Sequence, residues 1–293
     1  MTKSDTDARA HPRTPANPFV ATRNEAGRAA HSAQDRNRMW WELKPMTYAP
    51  WEEDDRLPQD AAAFEAMERY LLAKSPFLRK YFAAAAQDGR RVLDLGCGSG
   101  VLSFLMAKQG ADVTAADITE QGTRLARQNA ALRGLPVRVV RTDAEAMGLA
   151  DDSFDFVLSW GVLHHSESTE RALAEVRRVL RPGGRGMMMV YHRNSLVYYL
   201  KGLYWLLARG RLFRGDTLST ATNYYADGYY HRHFGRAELG ACLRGAGLNP
   251  VQLVATEQDG PILPIGIGGR LDTALKARLG WYLVAEFEKP ASG

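Results

Sequence analysis

The chain has 293 residues, a length that fits one large domain or one domain with additions. Apolar residues make up 45% of it, which is typical of a soluble globular protein, and the formal net charge is +5. The arginines are scattered and form no basic block, so the charge does not by itself indicate a nucleic-acid partner. Two cysteines, Cys97 and Cys242, argue against a disulfide framework, and no Cys/His group has metal-ligand spacing.

The N-terminal region is polar and contains no apolar segment typical of a signal peptide. No other segment reaches the roughly 18 continuous apolar residues of a membrane-spanning helix. Both observations predict a cytoplasmic protein. Residues 1–35 carry three prolines among polar residues and are predicted to form a mobile tail.

Residues 36–90 are predicted to form an N-terminal lid and helices. The stretch from Met39 to Trp51 holds three tryptophans and is broken by prolines, so we expect no regular helix there. It is either an aromatic strap packed on the domain or a lid over a substrate cavity. A helical pattern then runs from Ala61 to Ala85, and Pro76 is expected to kink or split it.

The stretch from Arg91 to Gly100 is the most informative part of the sequence. Arg91–Leu95 is an apolar run with one acid, which predicts a buried strand, and a helical pattern begins at Val101. Three glycines at alternate positions separate them, where the backbone can turn sharply and approach a ligand. The N–H groups at the start of the helix are available to ligand oxygens. The spacing is G-x-G-x-G, whereas hydride-transfer folds use G-x-G-x-x-G.

Strands and helices alternate at short intervals from residue 91 to residue 191. After the first strand, apolar runs predict strands at residues 112–117, 137–140, 154–160 and 187–190. Thr119 is expected to cap one intervening helix, and Arg181–Gly184 is expected to form a turn. The alternation predicts a doubly wound α/β sheet with helices on both faces, and a ligand site beyond the carboxyl ends of its strands.

The C-terminal third is less regular. Residues 192–235 are predicted to be a substrate-cap insertion, and residues 236–293 are predicted to complete the core sheet with a helix and two strands. Within the insertion, Ser195–Arg214 is apolar and aromatic with scattered basic residues, and the stretch up to Phe234 is rich in tyrosine.

Acids follow or end the first three predicted strands, where parallel strand ends converge on one crevice. Asp94 precedes the glycines, Asp117 ends the second strand and can accept two ribose hydroxyls, and Asp143 follows the third strand. Any one of these acids alone would be interpreted as a helix cap or a surface turn. The ordered set favours binding of a nucleotide.

The run from Arg91 to Tyr191 closely resembles the core of class I S-adenosylmethionine (SAM)-dependent methyltransferases. The resemblance is carried by Val92–Gly100, Ala116–Thr119, Thr142–Glu145, Phe154–Val157 through Val162–His165, and Val179–Gly184. It covers about a third of the chain. It implies a Rossmann-like sheet of seven strands, the last antiparallel, and SAM as the cofactor. The binding residues implied are Asp94, Gly96, Cys97, Gly98, Gly100, Asp117, Ile118, Asp143, Ala144, Ser159 and Trp160.

Two histidines, His164 and His165, follow the fourth strand, near the expected position of the transferred methyl group. A histidine there could act as a general base on an acceptor that must lose a proton. The pair could equally be a structural feature of the loop. The tyrosines and histidines from Tyr224 to His233 are second candidates.

The sequence leaves three functions open. The first is methyl transfer from SAM to the oxygen, nitrogen or carbon of a small molecule, such as a natural-product or quinone-like intermediate. The second makes residues 195–214 a membrane-surface contact of an enzyme with a lipid or lipid-linked acceptor. The third is a SAM-binding module without catalysis. Methylation of nucleic acid is not expected, because Ser159–Val162 stands where base-amine methyltransferases carry an Asn-Pro-Pro-Tyr-type tetrad.

Overall fold

The structure is a computed structural model that describes residues 32–43, 45, 57–85, 89–223, 231–256 and 269–291. The predicted tail up to residue 31, Trp51 and the tyrosines at 224–230 lie outside these ranges. The helices are α1 Ala33–Leu43, α2 Ala61–Lys74, α3 Leu78–Ala85, α4 Val101–Ala107, α5 Glu120–Arg133, α6 Thr169–Val179, α7 Leu196–Leu203, α8 Leu218–Asn223, α9 Arg236–Gly245 and α10 Arg270–Leu279. The strands are β1 Arg91–Leu95, β2 Asp112–Asp117, β3 Val137–Arg141, β4 Phe154–Trp160, β5 Leu180–Tyr191, β6 Asn249–Thr256 and β7 Tyr282–Glu288.

The seven strands form one sheet in the order β3-β2-β1-β4-β5-β7-β6. Strands β1 to β5 pair in parallel, and β7 runs antiparallel to both of its neighbours. After β1, the chain forms β2 and β3 on one side of β1 and then crosses over to form β4 on the other side of β1. The predicted seven-stranded, mostly parallel α/β fold is thereby confirmed, and the strand order reverses between β1 and β4.

Two apolar layers cover the two faces of the sheet, as alternation along each strand requires. In β1, Val92 packs with α2 to α5, whereas Leu93 and Leu95 pack with α6 and α9 on the opposite face. Met187 and Met188 of β5 divide between the faces in the same way. This packing holds the strand ends, and the loops that follow them, in fixed positions.

Strand β5 is longer than predicted, and it includes the four residues Arg181–Gly184 that we expected to form a turn. Phe154 of β4 pairs with Leu180 and Phe156 pairs with Arg185, so these four residues lie opposite a single residue of β4. Gly183 has a φ of +73°, so the backbone does bend within this stretch. The stretch is nevertheless part of β5 and not only a connecting turn, because its backbone bonds to that of Lys289, just after β7.

Helix α1 corrects two predictions for the N-terminal region. It begins at Ala33, before the predicted end of the tail at residue 35, and it includes Met39, for which no regular helix was expected. The Oγ atom of Ser32 accepts a hydrogen bond from the backbone N–H of Asp35, as in a capping box. The predicted split at Pro76 is confirmed by the boundary between α2 and α3.

The predicted cap supplies α7 and α8 between β5 and α9. After α7, the chain continues through a π-helical segment, Tyr204–Ala208, and a 3₁₀ turn, Arg211–Arg214. Among the described residues, no helix combines the length and the apolar character needed to cross a membrane.

Candidate functional site

A cavity of about 320 Å³ opens at the carboxyl edge of the parallel strands, beside the reversal of strand order. Its walls come from the loops after β1, β2, β3 and β4, from the adjacent ends of β5 and β7, and from α1. The volume is that of a small-molecule site. Of the residues predicted to bind the cofactor, the cavity is lined by Gly96, Cys97, Gly98, Asp117, Ile118, Ala144 and Trp160.

The glycine loop after β1 is held tightly against its neighbours. The N–H groups of Gly96 and Cys97 both donate to the carbonyl oxygen of Ala116, at 2.7 and 2.9 Å. Gly96 has a φ of +79°, and a Cβ placed on it would lie 2.1 Å from a methyl group of Val162. No other residue fits this position without rearrangement, so the backbone itself forms this part of the wall. Gly100 lies behind the loop at the start of α4.

Asp117, at the end of β2, is bound by three donors. Its carboxylate accepts from the Gly98 N–H at 2.9 Å, and from the N–H and hydroxyl of Thr119 at 2.9 and 2.7 Å. A carboxylate has about four acceptor sites, so capacity for a ligand hydroxyl remains. Burial raises the pKa of Asp117, and these hydrogen bonds oppose that rise. A Cβ on Gly122 would come within 3.0 Å of the carboxylate, so glycine there leaves room for it.

Asp94 lies beneath the glycine loop and not on the cavity wall. It is only 1% exposed, and its carboxylate accepts a hydrogen bond from the Ser103 hydroxyl at 2.5 Å. Burial raises the pKa of Asp94 to about 7, and the nearby charge of Asp117 adds to that rise. A cationic group bound above the loop would favour the ionised form, because opposite charges lower the pKa of an acid.

Asp143, the predicted partner of an adenine, also lies off the main cavity. Its Oδ1 atom accepts from the Gln34 side chain at 2.8 Å and from the Glu145 N–H at 2.9 Å. The carboxylate borders a neighbouring pocket, together with Arg38 and Arg141. Of this predicted pair, the structure therefore brings only Ala144 to the cavity.

The end of β4 contributes an aromatic wall. The ring of Trp160 packs against Phe77 and Tyr282, with centroid separations of 5.7 Å for both pairs. Ser159 points elsewhere: it is buried, and its hydroxyl has no hydrogen-bond partner among the described residues.

Helix α1 spans three of the loops at the cavity mouth. A lid over a substrate cavity is one of the two alternatives that the sequence offers for Met39–Trp51, but Asn37 and Glu42 were not identified from the sequence. The carboxylate of Glu42 accepts from the backbone N–H groups of Glu120 and Gln121, at the start of α5. The Asn37 side chain donates to the His165 carbonyl oxygen at 2.6 Å. Trp41 packs edge-on against the His165 ring, with 5.1 Å between centroids. The one local signal for this helix was the Ser-x-x-Asp capping pattern that begins it.

Four histidines meet behind the cavity. His164 and His165 lie 4.1 Å apart by ring centroids, and His231 lies 6.1 Å from His165 and 5.1 Å from His233. His231 and His233 belong to the segment from Tyr224 to His233, whose tyrosines and histidines are the second candidates for a general base. Their segment is fixed by the Arg232 N–H, which donates to the His164 carbonyl oxygen.

These histidines differ in access to the cavity. His165 lines it, whereas His164 is fully buried and its ring packs 4.2 Å from that of Tyr191. Burial lowers the pKa of His164 and His231 well below the usual value and that of His233 to about 3, so all three are neutral near pH 7. Among the described residues, no group of three or more His, Cys, Asp or Glu is placed to hold a metal ion.

Residues 93–188 match a family described as a methyltransferase domain. Over 166 residues the chain is 34% identical to a protein of Roseobacter denitrificans named ubiquinone biosynthesis O-methyltransferase, covering 55% of this chain and 62% of the relative. A protein of the same name from Cereibacter sphaeroides is 34% identical over 175 residues, which are 57% of this chain and 66% of the relative. The chain thus spans slightly less than two thirds of these relatives.

Solved structures show the same fold. A SAM-dependent methyltransferase from Methanosarcina mazei is 22% identical, with a TM-score of 0.53 over 72% of this chain and 98% of that one. An S-adenosylmethionine-dependent methyltransferase from Mesorhizobium loti is 21% identical, with a TM-score of 0.52 over 74% and 98%. At these identities the likeness establishes the architecture, and the chemistry has to be argued from the site.

Proposed function

We propose that this protein transfers the methyl group of SAM to a small-molecule acceptor, because residues 93–188 form a class I methyltransferase domain. The observation that carries the proposal is a single cavity that joins the glycine-rich loop at Gly96–Gly98 and the half-buried carboxylate of Asp117 at the reversal of strand order. A hydride-transfer function explains neither the glycine spacing nor the acids that follow the strands.

The residues present fit SAM. A Cβ on Gly96 would collide with Val162, so only glycine allows the loop to hold this position, from which its backbone lines the cavity. We assign a ribose hydroxyl to Asp117, the adenine edge to the backbone of Ala144 and the side chain of Ile118, and the methionyl end to the glycine loop above Asp94. SAM, when bound, supplies an electrophilic methyl group on a sulfonium. The chain's own task is to align the acceptor with that group and to exclude water.

The remaining wall of the cavity is aromatic. Trp41, Trp160, Tyr191 and Tyr282 line it together with His165. Flat apolar walls with a few polar groups suit a planar ring that carries an oxygen substituent. The names of the curated relatives support the same class, so we assign the acceptor oxygen to a phenolic or quinone-like ring.

We assign the role of general base to His165 and a positioning role to His164. His165 is the member of the pair that lines the cavity. Its backbone is held by Asn37, and its ring is packed between Trp41 and His164. Its neighbours His164 and His231 are neutral near pH 7, so no adjacent imidazolium opposes uptake of a proton from the acceptor hydroxyl.

Calorimetric titration tests the cofactor assignment directly. We expect saturable heat with SAM and none with NAD at the same concentrations. Heat with NAD or with a flavin nucleotide, and none with SAM, would overturn the proposal. Heat with SAM but no methylated product from any acceptor would favour the third function, a binding module without catalysis.

Replacing His165 by glutamine is expected to lower kcat by about 10²–10⁴-fold, the usual contribution of a positioned base. The measurement is transfer of labelled methyl from SAM to a catechol probe, 3,4-dihydroxybenzoate, with SAM affinity followed by calorimetry. SAM affinity should change little. The matched control is His192→Gln, because His192 is also buried but bonds to the Gly280 carbonyl oxygen and does not line the cavity. Equal kcat in the two variants would remove His165 from the mechanism.

The alternative acceptor, a lipid or lipid-linked molecule, has one observation in its favour. The segment Ser195–Arg214 exposes a large apolar surface outside the core. This surface supports contact with a membrane, whichever molecule receives the methyl group.

A further inference from the structure

The segment after β5 carries the most apolar exposed surface among the described residues. Large apolar side chains here are between 41% and 59% exposed, and Phe213 reaches 91%. We call this set the apolar face; its members are Tyr199, Leu200, Leu203, Tyr204, Leu207, Leu212 and Phe213. Single exposed apolar residues are ordinary, but seven within fifteen residues of sequence mark an interaction surface.

The exposure does not come from a loosely attached helix. The opposite side of α7 is packed: Tyr198 and Gly202 are buried, and a Cβ on Gly202 would lie 2.5 Å from side-chain atoms of Leu218 and Thr222 in α8. The Ser195 hydroxyl caps the helix by accepting from the Tyr198 N–H. The part of the apolar face on α7, Tyr199, Leu200 and Leu203, is therefore a fixed feature of a well-packed helix pair.

The exposed charges within this segment all have one sign, and the adjacent Asp216 is paired with Arg211. No acidic residue occurs between Tyr191 and Asp216, whereas Lys201, Arg209 and Arg214 are exposed there. The Arg209 guanidinium lies 5.0 Å from the centre of the Trp205 ring. Basic side chains bordering apolar and aromatic ones are typical of segments that lie in the headgroup region of an anionic bilayer.

The face is also not part of the cavity. None of the described residues of the predicted cap, 192–223 and 231–235, lines the main cavity. The apolar side chains are thus not needed to enclose the acceptor, and their exposure requires another explanation.

We propose that this apolar face docks the protein onto the surface of an anionic lipid bilayer. Leu203, Leu207 and Phe213 enter the boundary between headgroups and acyl chains, while Lys201, Arg209 and Arg214 contact lipid phosphates. A bilayer accounts for both observations together, since a second copy of this chain would bring the same cations against each other. The inference concerns a partner of the protein, and it stands or falls separately from methyl transfer.

Sedimentation of the full chain with vesicles tests the proposal. The vesicles are pure phosphatidylcholine, or phosphatidylcholine and phosphatidylglycerol in equal parts. We expect binding to the mixed vesicles that weakens with salt, and weak binding to the neutral ones. The combined variant Leu203→Ser, Leu207→Ser, Phe213→Ser should lower the partition coefficient by roughly two orders of magnitude. Trp205 and Leu206 are not used, because both are half-buried.

A control variant changes three exposed apolar residues on other elements, Leu132→Ser, Val251→Ser and Leu271→Ser, which are 46–56% exposed, and it should bind as the unchanged protein does. A third variant, Lys201→Gln, Arg209→Gln, Arg214→Gln, should lose the preference for anionic vesicles. All variants should keep the melting temperature and the heat with SAM, so failure to dock is distinct from failure of the site.

Three outcomes would overturn the proposal. The first is equal sedimentation of the serine variant and its control, and the second is no sedimentation of the unchanged protein with anionic vesicles. The third is a dimer in light scattering that the serine variant converts to a monomer without any vesicle binding, which would assign the face to a second copy.

Discussion

Asp117→Ala is expected to weaken SAM binding by about 10- to 150-fold. A hydrogen bond to a charged group contributes about 1.5–3 kcal/mol, and the three bonds within the protein leave this carboxylate about one acceptor site for a ribose hydroxyl. The change also removes the acceptor that holds the Gly98 N–H and Thr119. Calorimetry with SAM measures the loss.

The same strand offers the control for this prediction. Asp112 is at the opposite end of β2, where it forms an exposed ion pair with Arg138. Asp112→Ala removes an acid from the same element without touching the cavity, and such exposed pairs contribute at most about 1 kcal/mol to stability. SAM should bind this variant as it binds the unchanged protein. If Asp117→Ala bound SAM equally well, the assignment of the ribose to β2 would be wrong.

Gly96→Ala is expected to destabilise the protein by about 3 kcal/mol and to lower its Tm by roughly 5–10 °C. Two costs combine: a left-handed φ for a residue with a Cβ, about 1–2 kcal/mol, and a collision with Val162. The added methyl group would also displace the backbone that we assign to SAM. Thermal unfolding with and without SAM measures both effects.

Two further variants separate the two costs. Gly89 has a similar φ of +73° but no heavy atom within 4 Å of an added Cβ, so Gly89→Ala should show the conformational cost alone. Combining Gly96→Ala with Val162→Ala should restore about 1 kcal/mol, since the contacts with the two Val162 methyl groups are removed while its Cβ stays 2.9 Å away. Identical destabilisation by Gly89→Ala and Gly96→Ala would mean that the glycine loop can move away from Val162, and that the loop is not held tightly against its neighbours.

Most of the sheet could be predicted because its signals are local. The strand boundaries at Arg91–Leu95, Asp112–Asp117 and Phe154–Trp160 follow from apolar runs that end at acids or glycines. Helix α10 was not predicted, although Leu271, Leu275 and Leu279 recur in it at helical spacing. None of its residues is buried, so its packing on the core does not single it out.

The candidate site was only partly predictable for a different reason. The positions of the three acids identify the right edge of the sheet, but pattern alone does not say which side chains reach the ligand. Asp94 turns under the loop to Ser103, and Asp143 is bound by Gln34 from a helix 109 residues earlier. Contacts over such separations depend on the packed structure and leave no trace in a local stretch of sequence.

The attachment of α1 has a consequence for the range of acceptors the fold could accommodate. On the core side, its partners are largely main-chain groups: the N–H groups of Glu120 and Gln121 and the carbonyl oxygen of His165. Substitutions in the core cannot delete those anchors, so the helix remains seated as long as it keeps its own Glu42 and Asn37. Replacing Trp41 by a smaller or more polar residue should then reshape the part of the cavity that we assign to the acceptor, and leave the part that we assign to SAM unchanged.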